Sequence, residues 1–316
     1  MTLNLGLLGW RPFGFAGISV DQHIEERLAA APAHLRASEV DIIALQEVYA
    51  SRHRRFLRES LRDTYPHSFA PWKPRSVLGS GLMVLSRYPI AQAEFVRRHR
   101  APGSHSAISE KACVCTDIAV PNHGIVRLIN LHLTVGGVLR NSHRPQKPAQ
   151  RFTEIDEILE IASRPHRPPA LLVGDFNCGP TVNSDVYERI TAAGFTDAFT
   201  TAALPGNADA ITWDRNNPLN ATGRYRHSPS QRIDHVFVPS SLAMSIVPLS
   251  AKIEFNKATI NVRRERRVAL SDHYGLSVNL ALRLKNARKS VGPALVPTIL
   301  PKQTLPNLSM NSQSPR

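Results

Sequence analysis

Cysteine is scarce and oddly numbered: Cys113, Cys115 and Cys178 are the whole supply in 316 residues. An uneven trio cannot form a disulfide framework, and it falls short of the soft ligands that a structural zinc site needs. The three read as free thiols of a reducing compartment. Aromatics make up only 6% of the chain, and no aromatic-rich hairpin stands out as a device for entering a bilayer. No apolar run approaches the ~18 residues of a membrane span. The opening segment, Met1 to Pro12, has no basic stretch ahead of its short apolar run, so it reads as a first strand rather than a leader. A cytoplasmic protein is the expectation. Acids are also outnumbered: 25 Asp and Glu stand against 39 Lys and Arg, for a net charge of +14. The residues from Arg283 onward hold six bases and no acid, which leaves 33 bases and 25 acids, or +8, in residues 1–282. Such a body favours a polyanion or peripheral contact with an anionic membrane, without choosing between them.

What the chain has in quantity is short apolar runs alternating with helical patterns. Residues 2–8 read as a strand. Residues 21–37 place Ile24, Leu28 and Leu35 on one helical stripe, with a kink at Pro32. Strands are expected at 41–45, at 81–86 and 111–118 as neighbours, and at 125–134 after the turn Asn122-His123-Gly124. Cys113 and Cys115, two apart, share a face. Helices are expected at 53–63, at 148–162 with Pro148 at its start, and near 183–193. Strands follow at 171–176, 232–238 and 274–282. Residues 205–231, rich in Asn, Arg and Pro, read as a long surface loop. The expected fold is a four-layer α/β sandwich, two packed mixed β-sheets flanked by helices, over residues 1–284. Residues 285–316 read as a basic, disordered tail rich in Pro, Ser and Asn.

The apolar strands end in polar groups of one chemical kind. The segment Leu171 to Pro180, L-L-V-G-D-F-N-C-G-P, delivers Asp175 and Asn177 after three apolar residues. Asx-turn chemistry would account for the segment alone. The same pattern recurs: Asn4 follows the first run, Glu47 the second, Asn130 and His132 lie in I-N-L-H-L, and Asp234 and His235 lie in R-I-D-H-V. Asp272 and His273, in S-D-H-Y-G-L, precede the last strand. Ionised groups at strand ends are costly unless paired or metal-bound, so packing alone does not explain the recurrence. Singly, Glu47 suits a helix N-terminus, His132 a satisfied core histidine, Asp234 an ion pair with Arg232, and Asp272 a turn.

Taken in order, Q-E-V, G-L-M-V-L-S-R-Y-P-I, N-L-H-L, G-D-F-N, R-I-D-H-V and S-D-H-Y-G-L resemble the motifs of the endonuclease/exonuclease/phosphatase superfamily. That resemblance spans about residues 1–282. It implies hydrolysis of a phosphate ester with Mg²⁺, or Mn²⁺ in its place. It implies Glu47 as principal metal ligand, with Asn4 in the metal's water shell and Asp272 also at the metal. It further implies Asp272 orienting His273, His273 as general base, Asp175 positioning the attacking water, and His132 and Asn177 donating to the phosphoryl oxygens. Asp234 fills a further acidic position supporting the histidines or a second metal.

The substrate is less legible. The stretch from Leu78 to Ile90 and that from Ser109 to Ile118 resemble the neutral sphingomyelinase branch, where Lys111 would face the phosphate; Glu110 departs from its pattern. A nuclease would use the same site with basic residues along a groove, for which Arg224, Arg226, Arg232 and the run Arg263 to Arg267 are candidates. Trp213, in T-W-D-R-N-N-P-L-N, would stack a base, cover a head group or pack beneath its loop. A monomer acting on a phospholipid or nucleic-acid phosphodiester is the expectation, and a catalytically inactive binding module is the reading from another class.

Overall fold

The computed structural model describes residues 1–8, 23–71, 79–97, 112–135, 148–165, 167–202, 210–221, 226–242, 245–262 and 266–283. Lys111, Arg224, Arg263 and Arg264, and the expected tail 285–316 lie outside the described residues. The strands are β1 (Thr2–Asn4), β2 (Ile42–Gln46), β3 (His67–Phe69), β4 (Met83–Ser86), β5 (Ile90–Arg97), β6 (Ala112–Val120), β7 (Gly124–His132), β8 (Ala170–Asp175), β9 (Phe195–Asp197), β10 (Asp234–Pro239), β11 (Ile246–Glu254), β12 (Ile260–Val262), β13 (Arg266–Val268) and β14 (Gly275–Leu282). The helices are α1 (Ile24–Ala37), α2 (Ser51–Leu61), α3 (Pro148–Ala162), α4 (Ser184–Ala192) and α5 (Ala198–Ala202). One six-stranded sheet runs β11-β14-β1-β2-β4-β3 and the other β5-β6-β7-β8-β10-β9. Both are mixed: β1 lies parallel to β2 and β7 to β8, and the other pairs are antiparallel.

Period-2 alternation assigns each strand residue to a layer. Ile43 and Leu45 of β2 face outward onto Ile24, Leu28 and Leu35 of α1 and Leu57 and Leu61 of α2. Ile129 and Leu131 of β7, Cys113 and Cys115 of β6, and Leu172 of β8 face outward onto Ile155 and Ile158 of α3 and Val186 and Ile190 of α4. Ala44, Val84, Val114, Leu128, Leu171, Val173 and Val236 fill the space between the sheets. The result is the expected four-layer α/β sandwich.

Several expectations change. Residues 81–86 and 111–118 are not neighbours: β4 belongs to one sheet and β6 to the other. An apolar run carries no record of which sheet it joins, and β6 pairs instead with β5, a strand that the sequence reading passed over. The helix α1 begins at Ile24 rather than at residue 21 and runs through Pro32 to Ala37. Residues 210–221 are not a solvated loop, since Thr212, Trp213, Asn217, Leu219 and Asn220 are buried.

One buried amide pair joins the sheets behind their strand ends, and a charged cluster lies outside them. Asn130 of β7 and Gln46 of β2, both fully buried, join the sheets: Gln46 Nε2 donates to Asn130 Oδ1 at 2.8 Å. Asn130 Nδ2 in turn donates to the Leu45 and Met83 carbonyls at 3.0 and 3.1 Å. On the outer face of the second sheet, Asp197 accepts from Arg232, from His235 Nδ1 at 3.0 Å and from the Tyr187 hydroxyl at 3.1 Å. Burial alone would raise the Asp197 pKa, but His235 and Arg232 outweigh it and hold the carboxyl well below its ordinary range. His235 Nε2 lies 2.8 Å from the Cys178 carbonyl, which ties this cluster to the turn after β8.

Gly174 sits at φ 151° where the β8 backbone passes close to β7, and a Cβ there would lie 2.0 Å from the Leu131 carbonyl oxygen. Gly174→Ala is expected to cost about 2 kcal/mol or more, because backbone rather than a side-chain tip must move; the midpoint of urea unfolding measures it. Asp197→Asn should cost about 3 kcal/mol at neutral pH by stranding a buried guanidinium. An acid with a depressed folded-state pKa stabilises above its unfolded value and loses that contribution as pH falls. The variant should therefore show a shallower loss of stability on acidification, read from unfolding midpoints across pH.

Candidate functional site

The polar strand ends meet at one edge of the inter-sheet space, and alternation explains how. Leu171, Val173 and Asp175 share the inward face of β8, as do Leu128, Asn130 and His132 of β7, and Asp234 and Val236 of β10. Thr2 and Asn4 face inward on β1, where the Thr2 hydroxyl is 3.3 Å from Gln46 Oε1. Pairing then sets the register: His132 lies beside Asp175, and Asp175 opposite Asp234. Glu47 follows β2 at φ 58°, a left-handed conformation that turns its carboxylate out of the strand's alternation.

Asn4 Nδ2 donates to Asp175 Oδ2 at 3.0 Å and to Glu47 Oε1 at 3.3 Å, so one amide bridges two carboxylates from different sheets. Its oxygen accepts from the Gly6 amide at 3.0 Å. Asn4 thus holds the two acids through its nitrogen, while its oxygen accepts from backbone and keeps a second lone pair. His132 Nε2 is 3.5 Å from Asp175 Oδ2, and His273 Nε2 is 3.8 Å from the same oxygen. His273 Nδ1 lies 2.9 Å from Asp234 Oδ2.

The acid paired with His273 is therefore Asp234 and not its chain neighbour Asp272, which corrects the expected pairing. Consecutive residues project apart, and it is β10 that brings an acid within hydrogen-bond reach of Nδ1. Asp272 lies instead beside Asn4 and Gly6: a Cβ on Gly6 would meet Asp272 Oδ1 at 2.3 Å. The buried Ser271 hydroxyl donates to the Asn4 carbonyl at 2.6 Å, with Asp272 Oδ1 at 3.0 Å. Arg232 does not pair with Asp234 either; it is buried against Asp197 and does not line a groove. His235 points to the outer face, and Asn130 serves the clamp beneath the site.

Asn177 sits at φ 50°, beyond the end of β8, so the strand's alternation stops at Asp175. Its backbone N–H donates to Asp175 Oδ1 at 2.9 Å, and its Nδ2 to the Leu133 carbonyl at 3.0 Å. The Asx turn and the functional placement are thus the same structure. One Nδ2 hydrogen remains beyond the Leu133 bond.

Burial, and then the charge of Asp234, raise the Asp175 pKa to about 7. Burial opposes an imidazolium at His273, but Asp234 and Asp175 outweigh it and push that pKa well above its ordinary value. The donor set suits a hard cation: carboxylates of Glu47 and Asp175 converge on one amide, and Asp234 Oδ1 is buried without a hydrogen-bond partner. Asp175, Asp234 and His273 each place one ligand atom within 4.8 Å of the others.

Sequence reasoning missed the braces. Arg27 of α1 is buried and donates to the carbonyls of Leu5, Leu270 and Gly6 at 2.8, 3.1 and 2.6 Å, tying the first strand to the segment before Asp272. Asn217 Nδ2 holds the Ser271 carbonyl at 2.8 Å and Asn220 Nδ2 the Asp272 carbonyl at 2.9 Å. Thr212 Oγ1 accepts from the Asp234 amide at 3.1 Å. Trp213 is buried in a backbone bridge to His273, so it packs beneath the site rather than presenting a face to solvent. The paired asparagines of N-N-P-L-N were the available signal, since short amides mark turns that bond to backbone.

Comparison with known proteins gives the family and the fold. Over 289 residues the chain is 24% identical to a putative neutral sphingomyelinase of Drosophila melanogaster, covering 89% of this chain and 62% of that protein. The chain thus spans less than two thirds of that relative's length. Sphingomyelinase C from Streptomyces griseocarneus shares the fold with a TM-score of 0.63 at 21% identity, covering 87% of this chain and 96% of that one. D. rerio TDP2 complexed with a single-stranded DNA product superposes with a TM-score of 0.62 at 16% identity, covering 89% and 98%. Beta toxin from Staphylococcus aureus, in a structure with bound magnesium ions, gives 0.62 at 14% identity, covering 89% and 98%. Residues 1–273 match the model of the Endonuclease/Exonuclease/phosphatase family, and the chain belongs to that family.

Proposed function

We propose that the chain is a Mg²⁺-dependent phosphodiesterase that attacks its substrate with water. The observation that carries this reading is the Asp234–His273 pair, 2.9 Å apart, facing Asp175 across 3.8 Å in a site whose Glu47 carboxylate is held by Asn4. Bound at Glu47, with Asp272 close to Asn4 through Ser271, a divalent cation would neutralise phosphoryl oxygens and stabilise the leaving oxygen. His273, oriented through Nδ1 by Asp234, takes the proton from the attacking water at Nε2. Asp175, within reach of both imidazoles, positions that water. His132 and the remaining Asn177 N–H donate to the oxygens that gain charge. No covalent intermediate is needed.

For the substrate we infer a sphingomyelin-like phospholipid, supported by the likeness to the putative neutral sphingomyelinase over most of this chain. A nucleic-acid substrate is the second reading, supported by the likeness to TDP2 and the net charge of +14. Purified protein with Mg²⁺ is offered sphingomyelin vesicles, supercoiled plasmid and bis(p-nitrophenyl) phosphate. Phosphocholine release with intact plasmid is expected; nicking without phosphocholine release would select the nuclease. Activity that survives EDTA would remove the metal from the reading.

His273→Ala is expected to lower kcat by about 100-fold or more on whichever substrate is cleaved. Because Asp234 and Asp175 raise the His273 pKa, its base form grows as pH rises through and beyond neutrality, and kcat/KM should rise with it. In Asp234→Asn the imidazole loses its principal acid partner, so the rise should move to lower pH while kcat falls. A pH–rate profile of the two proteins measures both effects; coincident profiles would contradict the pairing.

A further inference from the structure

Four arginines are buried among the described residues: Arg27, Arg127, Arg151 and Arg232. Arg27 is spent on three carbonyls, Arg127 pairs with Asp117 at 3.0 Å, and Arg232 pairs with Asp197. Arg151 differs. It is 6% exposed, and its Nε and Nη2 have no hydrogen-bond partner. Two guanidinium donors held out of water without acceptors are a costly arrangement for a fold.

Its position increases the cost. Arg151 lies in the opening turns of α3, whose first turn contains no acid. The unsatisfied amides there already carry positive potential, so a cation at that end opposes the helix dipole. The Cα–Cβ bonds of a helix tilt toward its N-terminus, so the Arg151 side chain leaves the backbone toward those amides' end. Glu154, one turn further on, is not a hydrogen-bond partner of Nε or Nη2. Its carboxylate accepts from the Thr134 amide at 2.8 Å, the Thr134 hydroxyl at 2.5 Å and Gln150 Nε2 at 3.3 Å. Residues 136–147, which precede the helix, contain no Asp or Glu in their sequence.

The helix that carries Arg151 is tied to the strand that carries His132. Thr134, joined to α3 through Glu154, is two residues beyond His132. The charge of Arg151 is felt at the Cys178 thiol, next in sequence to Asn177. We propose that Arg151 and the N-terminal end of α3 form a binding site for a phosphate-type oxyanion beside the His132–Asn177 side of the site. A tetrahedral oxyanion supplies the acceptors that Nε and Nη2 lack, in the forked geometry that guanidinium favours, and its charge has the sign that the helix end selects. The oxyanion is either free in solution or carried on a bound ester. The inference does not rest on the hydrolase reading, because binding is measured without metal or turnover.

The test is a titration of full-length protein in EDTA with inorganic phosphate, against sodium chloride at matched ionic strength. The arginine Nε–Hε signals are followed by NMR, with that of Arg151 assigned through Arg151→Lys. A saturable shift of the Arg151 signal that chloride does not reproduce is expected. Arg151→Gln should weaken phosphate binding by about tenfold or more, and Arg151→Lys by less. Should Arg151→Gln fail to fold, the wild-type titration and Arg151→Lys still decide. Phosphocholine and a 5′-phosphorylated dinucleotide separate the two sources: binding tighter than that of inorganic phosphate marks an ester-borne anion, and binding of inorganic phosphate alone marks a free one. No saturable shift at Arg151, or equal phosphate affinity in wild type and Arg151→Gln, would overturn the proposal.

Discussion

The site exists because two sheets are held at one spacing and one offset, and the Asn130–Gln46 amide pair is where that offset is set. Apolar packing between sheets is non-directional, and a layer of residues such as Val84 and Leu128 tolerates a slide that a hydrogen bond does not. Asn130 spends Nδ2 on the Leu45 and Met83 carbonyls and its oxygen on Gln46, so a shift of either sheet would leave buried amides unpaired. Glu47 follows Gln46 directly, and His132 stands two residues beyond Asn130. The same clamp that joins the layers therefore fixes the distance between the two halves of the site.

Charge is managed by layers around that frame. Inside, Asp175 and Asp234 lie close enough for Asp234 to help raise the Asp175 pKa, and His273 answers both. Outside the second sheet, Asp197 with Arg232, His235 and Tyr187 forms a separate, internally neutralised cluster. The two networks alternate along β10, Asp234 inward and His235 outward, so one strand serves both the chemistry and its support. Glu47 and Asn177, both at positive φ without being glycine, sit at the mouth. Strained backbone at such a mouth persists only where surrounding contacts over-determine it, and the bonds from Asn177 to Asp175 and Leu133 are of that kind.

Much of this was legible from residue order. Apolar runs that terminate in Asn, Glu, His and Asp marked the ends of β1, β2, β7, β8 and β10, because a buried carboxylate needs a reason that packing cannot supply. The stripe of Ile24, Leu28 and Leu35 marked α1 and its buried face. The loop from Thr212 to Asn220 was misjudged for an equally physical reason: polar residues usually mean solvent, and nothing local shows that Asn217 and Asn220 spend their amides on the backbone around Asp272. Arg27 escaped for the same cause, since a buried arginine on a helical stripe is intelligible only once the carbonyls it caps are in place.

By itself, the sequence determined the alternation of apolar and polar positions along most strands, the helical stripes, and the supply of acids, amides and imidazoles at the strand ends. These follow from local periodicity, which needs no partner. Tertiary structure alone decided the pairing. It gave His273 to Asp234 rather than Asp272, Arg232 to Asp197 rather than Asp234, and β6 to β5 rather than β4. Those choices depend on register between strands far apart in the chain, and register is a property of the assembled sheets rather than of any one segment.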